Sequence, residues 1–347
     1  MGGRALKTTE TRRYEKQEFF DLWPILKDKV EKAFNTEAEL VISYHDKDSF
    51  GDMDIIVLND GNMPTPEEIK RILTEDFGAS EIHQNSTIYS FDFNELQIDL
   101  IFTPTSNWET SQVFFAYNDL GNLMGKIFHK LCLSYGFEGL RYIYRMDGGE
   151  RILGSFIVSK DSQKIFEFIG LDWAHFQKGF FNVQEIFEYI ESSPYFVPES
   201  FYYENLDQKN RKRNKKRANY ALFIEYINKK YKKDESKLQV GKYKHGKDKD
   251  QYKQIIHDYF PEVDFNKRLK EFEEKAAYKQ VIASKYNGRI IMELIPGLSG
   301  KELGKFIGDH AEFVGKAGYM SLDEIVYNAE QEDINEMILE FHKDWGK

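Results

Sequence analysis

The spacing of apolar and polar residues along the first hundred positions is typical of a small α/β domain. Residues 14–34 carry apolar side chains every three or four positions, which predicts an amphipathic helix. Two short apolar runs, over residues 38–44 and 52–58, predict strands. A second helix is predicted over residues 65–77, because Thr65 can cap its first turn and two acidic residues follow directly.

The pattern changes twice along the rest of the chain. Residues 87–93 and 96–102 are strand-like runs separated by Asn94-Glu95, which predicts a β-hairpin. Mixed helix and strand patterns then continue to Pro194 and Pro198, beyond which the chain is almost wholly helical in character. The elements predicted before Pro194 are a helix over residues 121–135, two strands within residues 141–158 around Asp147-Gly148-Gly149, and helices over residues 161–169 and 183–190.

Together these patterns predict an α+β fold with three regions. Residues 1–105 form a small mixed-sheet domain, residues 106–195 a second α/β part, and residues 196–347 a mainly helical domain. A length of 347 residues is sufficient for two or three domains, each with its own core.

The composition excludes several classes of protein. Cys132 is the single cysteine, which rules out internal disulfides and every zinc site that needs two thiolates. The chain has no run of 18 apolar residues, and residues 1–17 are polar, so neither a membrane span nor a secretory signal is predicted. We therefore expect an intracellular, cytoplasmic protein.

The charge of the chain is unevenly distributed. The net charge is −10, which taken alone speaks against a nucleic-acid partner. Residues 209–249, however, carry a net charge of +12, and the remainder of the chain therefore carries −22. This pattern predicts an acidic body with one strongly basic segment.

Three acidic residues interrupt apolar strands of the predicted sheet. Asp52 and Asp54 are two positions apart, so their side chains point to the same face of one strand. Asp99 lies in the middle of another apolar strand, and the three carboxylates converge if these strands are neighbours. Such a cluster can hold two Mg²⁺ ions about 4 Å apart for phosphoryl transfer. The alternative is that the three acids lie at strand ends on the rim of the sheet.

These residues resemble a known family. Gly51-Asp52-Met53-Asp54 before an apolar strand, with Asp99 in an Ile-Asp-Leu-Ile setting, is similar to the palm domain of the polymerase-β nucleotidyltransferase superfamily. The resemblance implies that Asp52 and Asp54 bind both Mg²⁺ ions, for which Mn²⁺ can substitute. It also implies that Asp99 binds the catalytic ion and activates the primer 3′-hydroxyl.

The loop before the acidic pair departs from the family pattern. Family members usually have a Gly-Ser pair there that holds the triphosphate, whereas this chain has Val41-Ile-Ser-Tyr-His-Asp46. Ser43 can take the place of the serine, Lys47 is the cation of the loop, and Gly51 precedes the acids. We expect these three residues to contribute to nucleotide binding.

Two later segments resemble the family more weakly. Residues 117–137 and 158–166 are similar to the thumb of family X DNA polymerases, which implies that Tyr117 and Asn118 face the incoming nucleotide. Gly121 allows close approach of the backbone, and Lys126 adds positive charge; an ordinary helix start capped by Asp119 is the alternative.

The basic segment is densest over residues 209–217. Its seven cations point to contact with a nucleic-acid backbone, and flanking aromatic residues could stack on unpaired bases. A localisation-signal-like stretch or a disordered arm is the alternative. The seven cations are Lys209, Arg211, Lys212, Arg213, Lys215, Lys216 and Arg217.

A later segment, over residues 286–304, resembles the RNA-binding tail of CCA-adding enzymes.

We therefore expect a metal-dependent nucleotidyltransferase that adds nucleoside monophosphates from NTP or dNTP to the 3′ end of a nucleic acid. The palm resemblance favours an enzyme like family X DNA polymerases acting on DNA. The tail favours the alternative, an RNA nucleotidyltransferase of the CCA-adding or poly(A) type acting in tRNA processing. A non-catalytic nucleic-acid-binding protein on a degenerate palm is a further alternative.

Overall fold

A computed structural model describes residue 3 and residues 5–145, 152–234, 249–317 and 320–345. The chain divides into two compact units, Met1–Val263 and Asp264–Lys347. The first unit combines helices with a mixed sheet, so its architecture is compatible with the α+β class expected from the sequence. The predicted Asp147-Gly148-Gly149 turn lies outside the described residues.

The first unit begins with the elements that form its main sheet. They are β1 (Tyr14–Glu15), α1 (Lys16–Phe34), β2 (Ala38–Leu40), β3 (Ser49–Phe50), β4 (Asp52–Asn59), α2 (Pro66–Glu75), β5 (Ile82–Asn85), β6 (Ile88–Phe93) and β7 (Leu96–Pro104). Five of the strands form a sheet in the order β2-β4-β7-β6-β5, in which β4 and β7 are parallel and the other neighbours antiparallel.

The remainder of the first unit follows the main sheet. Its elements are α3 (Trp108–Phe115), α4 (Leu120–Lys130), β8 (Leu133–Gly136), β9 (Gly139–Arg145), β10 (Ile152–Ser159), α5 (Ser162–Phe168), α6 (Trp173–Lys178), α7 (Val183–Glu191), α8 (Gln208–Asn214), α9 (Ala218–Lys230) and α10 (Lys249–Tyr259). Strands β8, β9 and β10 form an antiparallel sheet. Among the described residues, no helix is sufficiently long and apolar to cross a membrane.

The hydrophobic core of the main sheet lies on one of its two faces. Met53, Ile55 and Val57 of β4 are buried there, and alternate residues of β7 join them. Helix α1 buries its apolar stripe, which includes Leu26 and Val30, in the same cluster. The opposite face of β4 and β7 is thereby left to the residues that alternate with these core positions.

Local sequence signals determine where several elements begin and end. The Thr65 hydroxyl accepts a hydrogen bond from the Glu68 backbone N–H, and the Glu68 carboxylate accepts one from the Thr65 backbone N–H, which forms a capping box at the start of α2. Asn94 and Glu95 both have positive φ, which is the geometry of a tight two-residue turn, and they join β6 to β7. Both features agree with the sequence prediction.

One predicted helix is too long. The sequence predicts helix over residues 121–135, but α4 ends at Lys130 and Cys132 adopts a left-handed backbone conformation (φ 62°). Residues from Leu133 onward then form β8, because they pair with β9 through partners such as Leu133 and Tyr142. The pairing of β8 with β9 in a local β-hairpin has overridden the helical pattern here.

The second unit consists of helices around its own hydrophobic cluster. The helices are α11 (Phe265–Lys285), α12 (Gly288–Leu294), α13 (Gly300–Ala317), α14 (Leu322–Asn328) and α15 (Gln331–Asp344). His310 of α13 is fully buried in this cluster and stacks on Phe341 with the ring centroids 4.6 Å apart. Its Nδ1 lies 2.9 Å from the Tyr286 hydroxyl, and burial lowers the pKa of His310 to about 4.

We predict that His310 makes the chain less stable in mild acid. An unfolded histidine has a pKa near 6.5, so below that pH the unfolded chain takes up a proton that folded His310 resists. The free energy of unfolding should therefore fall between pH 6.5 and 4, by at most about 3 kcal/mol from this residue. Urea unfolding of the full chain at several pH values measures the decline.

The His310→Phe variant provides the comparison, because phenylalanine keeps an aromatic ring at this position but cannot be protonated. Its stability should decline less in this pH window than that of the parent chain. A control variant at the exposed His83, His83→Asn, should decline as the parent does. Equal declines in all three proteins would show that His310 is not responsible.

Candidate metal centre and its cleft

Three carboxylates meet on the face of the main sheet opposite its core. Strands β4 and β7 pair in parallel so that Asp54 lies directly opposite Asp99, while Asp52 lies opposite Gln97. Because side chains alternate along a strand, these four residues share one face, and Met53 and Ile98 point to the core. The adjacent strands expected from the sequence are present, and they bring Asp99 to the Asp52–Asp54 pair.

The geometry of these carboxylates is suitable for a metal ion. Each of Asp52, Asp54 and Asp99 offers an oxygen atom, and the three oxygen atoms lie within 4.8 Å of one another. All three side chains are partly buried, and hard divalent cations such as Mg²⁺ and Mn²⁺ prefer carboxylate oxygen ligands. The cluster could therefore hold a metal ion.

The electrostatics of the cluster disfavour a negative charge on all three acids at once. Burial, followed by repulsion from Asp52 and Asp99, raises the pKa of Asp54 well above its usual value. Burial and Asp52 likewise raise the pKa of Asp99 to about 6. Without a cation, the three groups resist being charged together; a bound divalent cation would offset both burial and mutual repulsion.

Asp99 and Asp52 accept hydrogen bonds that the sequence analysis did not anticipate. The Gln97 side-chain amide donates to both Asp99 oxygens at 2.9 and 3.2 Å, and the Ser90 hydroxyl bonds to the same carboxylate. The Gly3 backbone N–H donates to Asp52 Oδ2 at 2.9 Å. One signal was visible: Gln97 is polar and lies two residues before Asp99 in an apolar strand.

The carboxylates form one wall of a cleft with a volume of about 930 Å³. Residues 41–44 and 46–52 line it beside the carboxylates, and residues from α3 to the start of α4 line another side. The wall that carries positive charge is formed by Lys212, Arg213, Lys216 and Arg217, at the end of α8 and the start of α9. A cluster of acids and a cluster of cations thus share one cavity.

The loop before β4 brings its predicted residues to this cleft. Ser43, Lys47 and Gly51 all line it. The Lys47 ammonium lies 4.2 Å from the centre of the Phe50 ring, and burial lowers the pKa of Lys47, with Asp52 and Asp54 acting in the opposite direction. The backbone N–H groups of residues 45 and 46 donate hydrogen bonds to the carbonyl groups of residues 180 and 181, and these bonds hold the loop in place.

The residues predicted near the start of α4 are divided between the cleft and the interior. Asn118 lines the cleft. Tyr117 is buried and its hydroxyl donates to the Phe176 carbonyl, while Gly121 packs so closely that an added Cβ would lie 2.4 Å from the Phe114 carbonyl oxygen. Lys126 lies outside the cleft lining, and burial lowers its pKa to about 8.

The basic segment is also divided. Lys212, Arg213, Lys216 and Arg217 line the cleft, whereas Lys209 and Lys215 are exposed outside its lining. Arg211 donates to the backbone carbonyls of residues 203, 204 and 206, which fastens the start of α8 to the preceding turn. The lysines between residues 235 and 248 lie outside the described residues.

Two further arginine contacts organise the cleft. Arg217 forms an ion pair with Asp119. Arg13, which sequence reasoning missed, lines the cleft because β1 pairs with β3; its guanidinium donates to the Ser49 hydroxyl at 3.1 Å and to the Ser49 carbonyl at 2.6 Å. No pattern near Arg13 in the sequence connects it with residue 49.

Comparison of the chain with models of known protein families and with curated proteins finds no match.

We predict that replacing one clustered acid stabilises the metal-free chain. Asp54→Asn removes a buried charge from the repelling cluster, so the thermal midpoint without divalent cations should rise by roughly 2–4 °C. We expect Mn²⁺ to raise the midpoint of the parent chain, and the same variant should lose that upward shift. Thermal unfolding with and without Mn²⁺ measures both effects.

Asp76→Asn is the control for this prediction, because Asp76 is an exposed residue at the end of α2. Both its metal-free midpoint and its Mn²⁺ shift should match those of the parent chain. A Mn²⁺ shift that survives in Asp54→Asn would show that the cluster is not where the ion binds.

Proposed function

We propose that the chain is a metal-dependent nucleotidyltransferase that adds nucleoside monophosphate units from a nucleoside triphosphate to a nucleic-acid 3′ end. The observation that carries this proposal is the pairing of opposite charges across one cleft. Asp52, Asp54 and Asp99 lie on one wall and a group of four cations on another. A triphosphate with its divalent cations needs both kinds of group at once.

Asp52 and Asp54 are the residues that would hold two Mg²⁺ ions, with Asp99 as the third ligand of one of them. Divalent cations bound there neutralise phosphate charge and polarise the reacting oxygen atoms. Six cations that line the cleft supply the remaining positive charge: Arg13, Lys47, Lys212, Arg213, Lys216 and Arg217. They offset the absence of the Gly-Ser pair, because guanidinium and ammonium groups bind phosphate oxygens directly.

The reaction requires a nucleophile, a leaving group and a proton acceptor. The 3′-hydroxyl oxygen attacks the α-phosphorus, the bond from that phosphorus to the bridging oxygen breaks, and pyrophosphate leaves. We assign Asp99 as the group that accepts the hydroxyl proton, because it is the third carboxylate beside the Asp52–Asp54 pair. The polar contacts from Gln97 and Ser90 hold its carboxylate in one orientation.

The resemblance of residues 51–54 and Asp99 to the polymerase-β superfamily supports the same assignment. The palm motif is common to enzymes that extend DNA and enzymes that extend RNA, so the acids do not select between these substrates. Exposed Lys209 and Lys215 are suited to contact the phosphate backbone of either nucleic acid outside the cleft.

The central test is incorporation of labelled nucleotide. The purified chain is given each ribo- and deoxynucleoside triphosphate with Mg²⁺ or Mn²⁺, and a primer–template, a single strand or a tRNA lacking its 3′ end. We predict that one of these substrates is extended and that Asp54→Asn lowers the rate by at least about 10³-fold, whereas Asp76→Asn retains it. Nucleic-acid binding without incorporation on any substrate would instead indicate a non-catalytic protein.

A matched pair of double variants tests the role of the cleft cations. Lys212→Gln with Lys216→Gln removes two charges that line the cleft, and Lys209→Gln with Lys215→Gln removes two from the same segment outside it. We predict that the first pair raises KM for the triphosphate by at least about tenfold, because charge-assisted contacts are lost. The second pair should leave that KM unchanged and weaken nucleic-acid binding.

Initial-rate kinetics and filter binding at several salt concentrations measure the two effects. Equal increases of the triphosphate KM in both double variants would contradict the proposal, since the segment would then act only through its overall charge.

A further inference from the structure

A segment near the start of the described chain runs along the edge of the carboxylate cluster. We call Gly3 together with residues 5–9 the N-terminal strap. At one end, the Gly3 backbone N–H donates to Asp52 Oδ2 at 2.9 Å. Two residues later, the Ala5 backbone N–H donates to Gln97 Oε1 at 2.8 Å. The strap therefore contacts both of the strands that carry the acids.

Gln97 transmits the second contact to Asp99. Its side chain is only 2% exposed, and its amide nitrogen lies 2.9 and 3.2 Å from the two Asp99 oxygens. A buried amide keeps one orientation when both its oxygen and its nitrogen have partners. The Ala5 N–H fixes the Gln97 oxygen, so the Gln97 amide group must point at Asp99.

Only glycine fits at position 3 without displacing neighbouring backbone atoms. Its φ is +76°, a conformation that residues with a Cβ rarely adopt, and an added Cβ would lie 2.1 Å from the Gly51 carbonyl oxygen. This close approach brings the strap backbone to the turn immediately before Asp52. The contact to the carboxylate depends on backbone geometry rather than on a side chain.

The other end of the strap is fastened away from the cluster. The Glu81 carboxylate accepts hydrogen bonds from the backbone N–H groups of Lys7, Thr8 and Thr9 and from the Thr8 hydroxyl, at 2.8 to 3.0 Å. These contacts, led by the Lys7 N–H, lower the pKa of Glu81 to about 2. The anchor thus remains charged throughout the neutral pH range.

We propose that the N-terminal strap and Gln97 are positioning elements of the metal site. Gly3 fixes Asp52 directly, Ala5 fixes Asp99 through Gln97, and Glu81 holds the strap against the sheet. The donated hydrogen bonds stabilise the charged carboxylates against burial and mutual repulsion, in the orientation that binding a cation requires. This inference rests on the proposed metal site.

The test loosens the strap without altering the metal ligands. In Glu81→Gln, an amide replaces the carboxylate that accepts hydrogen bonds from four donor groups of the strap. The NH₂ group of the amide is itself a donor and cannot accept from them, so the anchor is weakened. We expect Mn²⁺ affinity of the full chain, measured by electron paramagnetic resonance, to fall roughly tenfold. At saturating Mn²⁺, kcat should return to the parent value, because only the occupancy of the site has changed.

Glu68→Gln is the matched control. Glu68 also accepts hydrogen bonds from the backbone N–H and hydroxyl of a threonine, but it does so in the capping box of α2 and has no contact with the strap. Its Mn²⁺ affinity should equal that of the parent chain.

A second pair of variants reaches the same question from the other end of the strap. Gly3→Ala and Gly78→Ala both introduce a Cβ at positive φ (+76° and +70°), but the added Cβ meets a neighbour only at Gly3. We expect weaker Mn²⁺ binding in Gly3→Ala alone.

The outcomes separate this inference from the function on which it rests. Parent-like Mn²⁺ affinity in both Glu81→Gln and Gly3→Ala would overturn the positioning role. An increased affinity would overturn it too, and would make the strap a cover that competes with the cation. If the parent chain and Asp54→Asn bind Mn²⁺ equally, the proposed metal site itself is wrong.

Discussion

The repulsion among three partly buried carboxylates is the constraint on which the rest of the site depends. Asp54 and Asp99 are adjacent because β4 and β7 pair in parallel, and that register is determined by the core on the other face of the sheet. A shift of one residue would move Met53 and Ile55 out of the core and the acids into it. Burial of hydrophobic side chains on the core face of the sheet therefore keeps the three carboxylates together on the opposite face, although their charges repel each other.

The elements with local causes could be predicted from the sequence. The helix α1 follows from its apolar spacing, α2 from the capping box at Thr65, and the hairpin turn from Asn94-Glu95. The acid cluster was also predictable, because an aspartate in the middle of an apolar strand carries a cost of burial that calls for a compensating partner. The helices and the hairpin turn needed only residues close together in the sequence, whereas the convergence of Asp99 on Asp52 and Asp54 was predicted on the condition that the two strands are neighbours.

The features that could not be predicted from the sequence include contacts between residues that are far apart along the chain. Arg13 reaches the cleft through the pairing of β1 with β3, and Gly3 approaches Asp52 across 49 positions. The predicted helix over residues 121–135 was too long for a different reason: residues from Leu133 onward pair with β9 in a local hairpin that the helical spacing of the segment did not reveal. Local propensity contains no information about such partners, so single-sequence reasoning misses them.

The division of the basic segment shows how one short stretch of cations can have two roles. Lys212 and Arg213 lie in the last turn of α8, Lys216 and Arg217 lie in the short link to α9, and all four line the cleft. Lys209 and Lys215 fall outside the cleft lining, so the positive charge is divided between a cavity and a surface. Under the function that we propose, nucleotide and nucleic acid, which both carry phosphate, must bind at the same time, close together but separately. A basic segment with some cations in the cleft and others exposed outside its lining is compatible with that requirement.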